Sequence, residues 1–427
     1  APLSSGKSTI EVSLLQSNPT IQCYVGVHIP AAAVAWLALL ALTVWRPALQ
    51  LAIVPLVAPL FYRQAALGNL YFPLPEVVVV TGGFAWAMRD GWAFARTRKL
   101  PFADPAKWAR EPGVWLAVAL GLIGTAWLLV PPTWDARKIA FREFRWTVLE
   151  PLIFFGLMLR WVRNERDLWR IVGAWLVGAA FLSREAVEQF FGGEGRAMEG
   201  VTRVSSVYPS ATAFGIYLGR PMVLAMTLAL FLPKAWRHWR IACALLAVVM
   251  GLGLLLSFTR GAWIGVFAGM AAVALITRHR ALILGLGAVV LAGLAGLPFV
   301  GGAARIFSLF DVSDDENTGV ARIRIWQSSL RVLRDNPFLG IGQDQLLYQD
   351  PKYGVPQLRF FQTSHPHNWI LDFWQRLGAP GLLWAIVAFT WTFWQGVKLW
   401  RAHAGTALGA LMLGLGASAA GANKLIA

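Results

Sequence analysis

Apolar windows of roughly 15 to 25 residues, the length that crosses about 30 Å of hydrocarbon at the helical rise, recur along the whole chain. They fall near 25–45, 48–61, 71–88, 112–130, 142–160, 170–189, 207–233, 240–257, 261–277, 281–300, 379–396 and 405–425, with Pro30 and Pro47 interrupting the first two. The connections between them are short, except for 301–367. This pattern predicts an all-α polytopic integral membrane protein of about 12 transmembrane helices, a single transmembrane domain over 1–427. A polar start without Met (APLSSGKST) and no cleavable signal peptide suggest a trimmed N-terminus.

The long connection has a rhythm of its own. From Val320 to Arg334 apolar residues recur at Val320, Ile323, Trp326, Leu330 and Leu333, which predicts an amphipathic helix on or near the membrane. Arg324 and Arg331 share its polar face and Arg322 borders the apolar one. The helix should stop at Asn336-Pro337, where FLGIGQDQ supplies glycines for a tight turn. DVSDDEN at 311–317 lacks the spacing of a calcium loop and reads as a solvated acidic turn. Farther on, TSHPHNWILDFWQRLGAPG predicts a second helix, capped by Ser364, with Pro366 in its first turn and an end at Gly378 before Pro380. His367 then sits in the first turn, where the helix dipole disfavours imidazolium and leaves a neutral base. The alternative is a histidine that packs or caps at a membrane interface.

The composition agrees with a lipid solvent: 57% of the 427 residues are hydrophobic and 14% charged. The net charge of +16 could point to nucleic acid. However, the basic residues are dispersed in short stretches at 89–110, 161–170, 234–240, 278–280 and 397–403, always in alternate connections. The positive-inside rule accounts for them, so no nucleic-acid partner is expected. These stretches are placed in the cytoplasm; the connections near 62–70, 131–141, 190–206, 258–261 and 301–367 then face outward. Cys23 and Cys243 form neither a disulfide framework nor a metal set, and no metal or cofactor is expected.

Several arginines share the outward side with His367. Arg260 occupies the turn SFTRGAWIG, Arg142 and Arg145 start the segment FREFRWTVLEPLIFF, and Arg203 precedes a span in RVSSVYPSATAFGIYL. Each could be a snorkelling anchor. Arg220 falls mid-span and could pair with Glu185 or Glu188. Arginines at one leaflet without an outward carboxylate pair or a Cys/His set fit an anionic lipid substrate, since the guanidinium fork suits phosphate.

His367-Asn368, nine residues, then Gly378-Ala379-Pro380-Gly381 resembles the signature of bacterial O-antigen ligases. SFTRGAWIG, RIRIWQSSLRVLRDNPFLGIG and RVSSVYPSATAFGIYL are similar to blocks of the wider superfamily, which includes O-antigen polymerases and protein O-oligosaccharyltransferases. The likeness spans about 140–396. It implies a GT-C-like glycosyltransferase of the bacterial inner membrane. Its partners would be an undecaprenyl diphosphate-linked glycan, lipid A-core and the surrounding lipids, with 301–367 in the periplasm. Carried onto this chain, the resemblance makes His367 the general base and assigns the diphosphate to Arg260, Arg145, Arg203, Arg142 and Arg322. His365 would bond the donor phosphate or orient His367. The displacement would invert the anomeric centre without a metal. A polymerase or a protein oligosaccharyltransferase would use the same donor; a lipid flippase would need no His367, and midplane breaks or repeats would mark it.

Overall fold

The computed structural model describes residues 29–62, 64–67, 70–97, 133–198, 201–296, 318–346, 353 and 366–420. The expected span 112–130, the acidic string 311–317, Cys23, Ser364 and His365 lie outside the described residues. The elements run α1 (Ile29–Trp45), α2 (Pro47–Val57), a 3-10 turn (Ala58–Tyr62), β1 (Gln64–Leu67), β2 (Leu70–Pro73) and α3 (Leu74–Thr97). Then come α4 (Trp134–Phe144), a π-helical turn (Arg145–Leu149), α5 (Glu150–Trp161), α6 (Glu165–Phe191), β3 (Arg196–Met198) and β4 (Val201–Arg203). The remainder is α7 (Ala211–Phe231), α8 (Arg237–Leu256), α9 (Arg260–Thr277), α10 (Arg280–Gly296), α11 (Thr318–Asp335), α12 (Trp369–Ala402) and α13 (Ala407–Ala420).

Among the described residues, four helices are long and apolar enough to cross a membrane: Ala211–Phe231, Lys234–Leu256, Arg260–Thr277 and Trp369–Ala402. Three shorter apolar helices accompany them, Trp36–Trp45, Pro47–Phe61 and Ala407–Ser418. Two connections depart from the all-α expectation. Gln64 pairs with Pro73 and Arg196 with Arg203 in two antiparallel hairpins, which satisfy backbone groups where the chain reverses. The connection expected at 131–141 is largely helical, because Thr133 caps α4 and the helix continues through the π turn into α5.

Small residues set the packing. A Cβ on Gly253 would stand 2.9 Å from Ser183, and one on Gly396 would stand 2.9 Å from the Gly416 Cα, so α8 closes on α6 and α12 on α13 at near-backbone distance. Phe214, Leu218, Leu224 and Met250 are fully buried in the core that these helices enclose with α7. Ring contacts join the far ends: Trp169 meets Trp236 at 5.5 Å, and Phe231 meets both His279 and Trp400 at 5.8 Å. The basic stretches 161–170, 234–240, 278–280 and 397–403 therefore gather at one end of the bundle. The alternation of charge along the chain becomes a polarity of the structure.

The helix expected over Val320–Arg334 is present as α11, and it carries a second apolar face. Ile325, Ser328, Ser329, Val332 and Leu333 are buried in protein, whereas Ile323 and Leu330, of the face expected on or near the membrane, are exposed. The reason is chain from the same loop: Ile341, Leu346 and Tyr353 cover Ile325 and Val332, and the Ser328 hydroxyl donates to the Tyr353 carbonyl at 2.6 Å. The Ser328 hydroxyl is thereby satisfied inside this small core.

Candidate functional site

The His-Asn motif is built by its asparagine. Asn368 is the N-cap of α12, and its Oδ1 accepts from the backbone N–H of Ile370 at 3.0 Å and of Leu371 at 3.4 Å. This corrects the expected cap at Ser364. His367 precedes the helix instead of sitting in its first turn, in a left-handed conformation with φ +53° that β-carbon sterics disfavour. The N–H groups of Ile370 and Leu371 at the helix start are engaged by Asn368. The residue before it is tied down as well, since the Trp326 indole donates to the Pro366 carbonyl at 2.8 Å. Thus α11 holds the entrance to α12.

A second crossing explains the glycines. Gly378 breaks α12 with φ +69°, as the sequence predicts, and a Cβ there would collide with the carbonyl of Phe338. Gly340, with φ +70°, packs on the Gln375 carbonyl, which a Cβ there would also strike. Backbone bonds lock the crossing: the N–H of Ile341 donates to Gln375 at 2.8 Å, that of Ala379 to Pro337 at 3.1 Å, and the Trp374 indole to Pro337 at 2.7 Å. The turn after α11 and the first segment of α12 form one clamp.

Arg376 pins that clamp to the bundle. Its guanidinium contacts Asp372 at 2.8 Å on its own helix, Asp344 at 3.4 Å on the turn, and Glu143 at 3.4 Å on α4. The Asp372 pair, one helical turn away, is the part of this cluster for which sequence spacing carries a signal. Glu143 and Asp344 are remote in sequence and carried no such signal.

Arg203 and Arg260 come together. Arg203 Nε donates to the Ser257 carbonyl at 3.0 Å and its Nη2 approaches Thr259 Oγ1 at 3.4 Å, while Thr259 immediately precedes α9 and Arg260 is its first residue. Gly215 on α7 makes room, since a Cβ there would stand 2.7 Å from Thr259. Ser206, held through its backbone N–H by Gln189 at 2.9 Å and through its hydroxyl by Glu185 at 2.9 Å, fixes the strand that delivers Arg203. Glu188 pairs with Arg184 at 2.5 Å, so neither glutamate takes the role anticipated beside Arg220.

Arg145 and Arg142 occupy another neighbourhood. Arg145 Nε lies 3.0 Å from Glu76 and 3.7 Å from Glu150, and the Trp146 indole donates to Glu76 at 3.2 Å. The sequence showed no carboxylate pair on this side; the fold makes one. Both glutamates are buried, which suits ion pairing more than contact with a sugar. Arg142 stacks over Trp146 at 5.2 Å. Arg322 lies on α11, where burial pushes its guanidinium below the ordinary value. Among the described residues no group of three His, Cys, Asp or Glu could hold a metal ion.

The hairpin turn, the clamp and the His-Asn motif fall inside one stretch of sequence that is similar to a known family. Residues 245–386, about a third of the chain, match the family model described as O-Antigen ligase. This segment is similar to the O-antigen ligase family. No curated protein matches the chain. The matched segment includes Arg260, Arg322 and His367, whereas Arg142, Arg145 and Arg203 precede it. The matched family lies within a helical chain that has membrane-span-capable helices.

Proposed function

We propose that this chain moves O-antigen polysaccharide from undecaprenyl diphosphate onto the outer core sugar of lipid A-core. The observation that carries the reading is the rigid presentation of His367 at the clamp, opposite the basic end of the bundle. Its N-terminal neighbour is bonded by Trp326 and its C-terminal neighbour caps α12. A non-glycine residue held at φ +53° between two such anchors is consistent with a side chain that has to be aimed.

In this reading the acceptor hydroxyl attacks the anomeric carbon as His367 takes its proton. The new C–O bond forms as the bond from that carbon to the diphosphate oxygen breaks, and the electron pair leaves with the diphosphate. Arg203 and Arg260, positioned by the same turn, stabilise that developing charge. Direct displacement inverts the anomeric centre, and the burial of Glu76 and Glu150 fits a mechanism without a glycosyl-enzyme. With the basic end in the cytoplasm of an inner-membrane protein, the clamp faces the periplasm.

The test supplies purified protein with undecaprenyl diphosphate-linked glycan, with and without lipid A-core. Glycan on lipid A-core is the expected product. Longer glycan on the carrier when acceptor is withheld would make the chain a polymerase, and no transfer in either mixture would overturn the enzymatic reading.

A further inference from the structure

Arg220 stands near the middle of α7, a helix long and apolar enough to cross a membrane. An arginine there is costly unless something compensates it. Among the described residues no carboxylate forms an ion pair with it. It is exposed although protein atoms surround it closely, Tyr208 among its neighbours. Tyr208 precedes Ser210, the N-cap of α7, so the side chain climbs toward the clamp end, as helical side chains lean. Arg203 reaches the first turn of the same helix, with Nη2 3.5 Å from Thr212 Oγ1. Eight residues separate Thr212 from Arg220, about 12 Å along the axis. The Ser418 hydroxyl, on α13, bonds the Arg220 carbonyl at 3.0 Å and fixes the backbone.

We propose that Arg220 is a binding site for the phosphate of an anionic lipid, one step below the Arg203–Arg260 turn. Guanidinium and phosphate match in charge and in hydrogen-bond geometry, and the apolar surroundings strengthen the pairing. The phosphate comes either from the polyprenyl carrier on its way to the turn or from a bulk phospholipid. The carrier assignment rests on the donor named above; the site itself does not.

The experiment reads lipid binding alone, so a failure to transfer glycan cannot be confused with a failure of this site. Wild type, Arg220→Gln and Arg220→Lys are placed in zwitterionic nanodiscs, and affinities for undecaprenyl phosphate and for phosphatidylglycerol are measured separately. Arg220→Gln should weaken binding about tenfold or more, the usual loss for a charged hydrogen bond, while Arg220→Lys stays within about threefold. A loss confined to undecaprenyl phosphate identifies the carrier; an equal loss for both lipids identifies bulk phosphate. Unchanged affinity for both in Arg220→Gln overturns the site. So does an equal loss in both variants with their thermal stability intact, because the charge would then not be the cause.

Discussion

The clamp and the transmembrane bundle use the same residue types in opposite ways. At the clamp, Arg376 is enclosed by three carboxylates and Gly378 by backbone. In the bundle, no carboxylate of the described residues pairs with Arg220, and a Cβ added to Gly173 would meet nothing within 4 Å. An arginine neutralised on three sides is scaffold, with its charge spent on holding elements together. One left accessible in apolar surroundings has charge to offer a ligand.

That contrast breaks or stands on stability measurements, the largest effect first. Gly378→Ala should cost on the order of 4 kcal/mol, since it needs a left-handed alanine and displaces the Phe338 backbone, and thermal unfolding in detergent would show it. Arg376→Met leaves Asp344, Glu143 and Asp372 without their cation and should cost about 3 kcal/mol, whereas Arg220→Gln should leave the midpoint nearly unchanged. Equal losses at the two arginines would erase the distinction. Gly173→Ala should do the reverse of Gly378→Ala and stabilise α6 by up to about 1 kcal/mol. Asn368→Ala removes a cap and should cost about 1 kcal/mol, with Asn368→Asp retaining most of the stability. The smallest effect belongs to Arg184→Ala, which breaks an exposed i,i+4 pair with Glu188 and should cost about 0.3 kcal/mol.

What could be read from the chain follows the range of the forces involved. Spacing within one helix was legible: α11 ends at Asp335 as the Asn336-Pro337 stop predicts, Gly378 breaks α12, and the alternating basic stretches predicted a common end. Contacts between distant segments were not. The face that α11 buries depends on Ile341 and Tyr353 arriving from farther along, and no periodicity within 320–334 encodes that. Likewise Glu76 and Glu150 become a pair only when α3 packs beside α5. The cap moved from Ser364 to Asn368 because both residue types can cap, and the choice rests on Trp326 fixing Pro366 from another helix. Of the candidate site, the Arg203–Arg260 neighbourhood was foreseen as residues but not as a unit, since the Ser257 carbonyl that joins them has no signature in sequence.

The central claim is that His367 is an aimed base and not a packing residue. The direct measurement is steady-state transfer from undecaprenyl diphosphate-linked glycan to lipid A-core by wild type and His367→Gln, with folding checked by thermal unfolding. With an aimed base lost, kcat should fall by about 10² to 10⁴ with the carrier KM changed by less than about threefold. A His367→Gln protein that transfers glycan at the wild-type rate would contradict it.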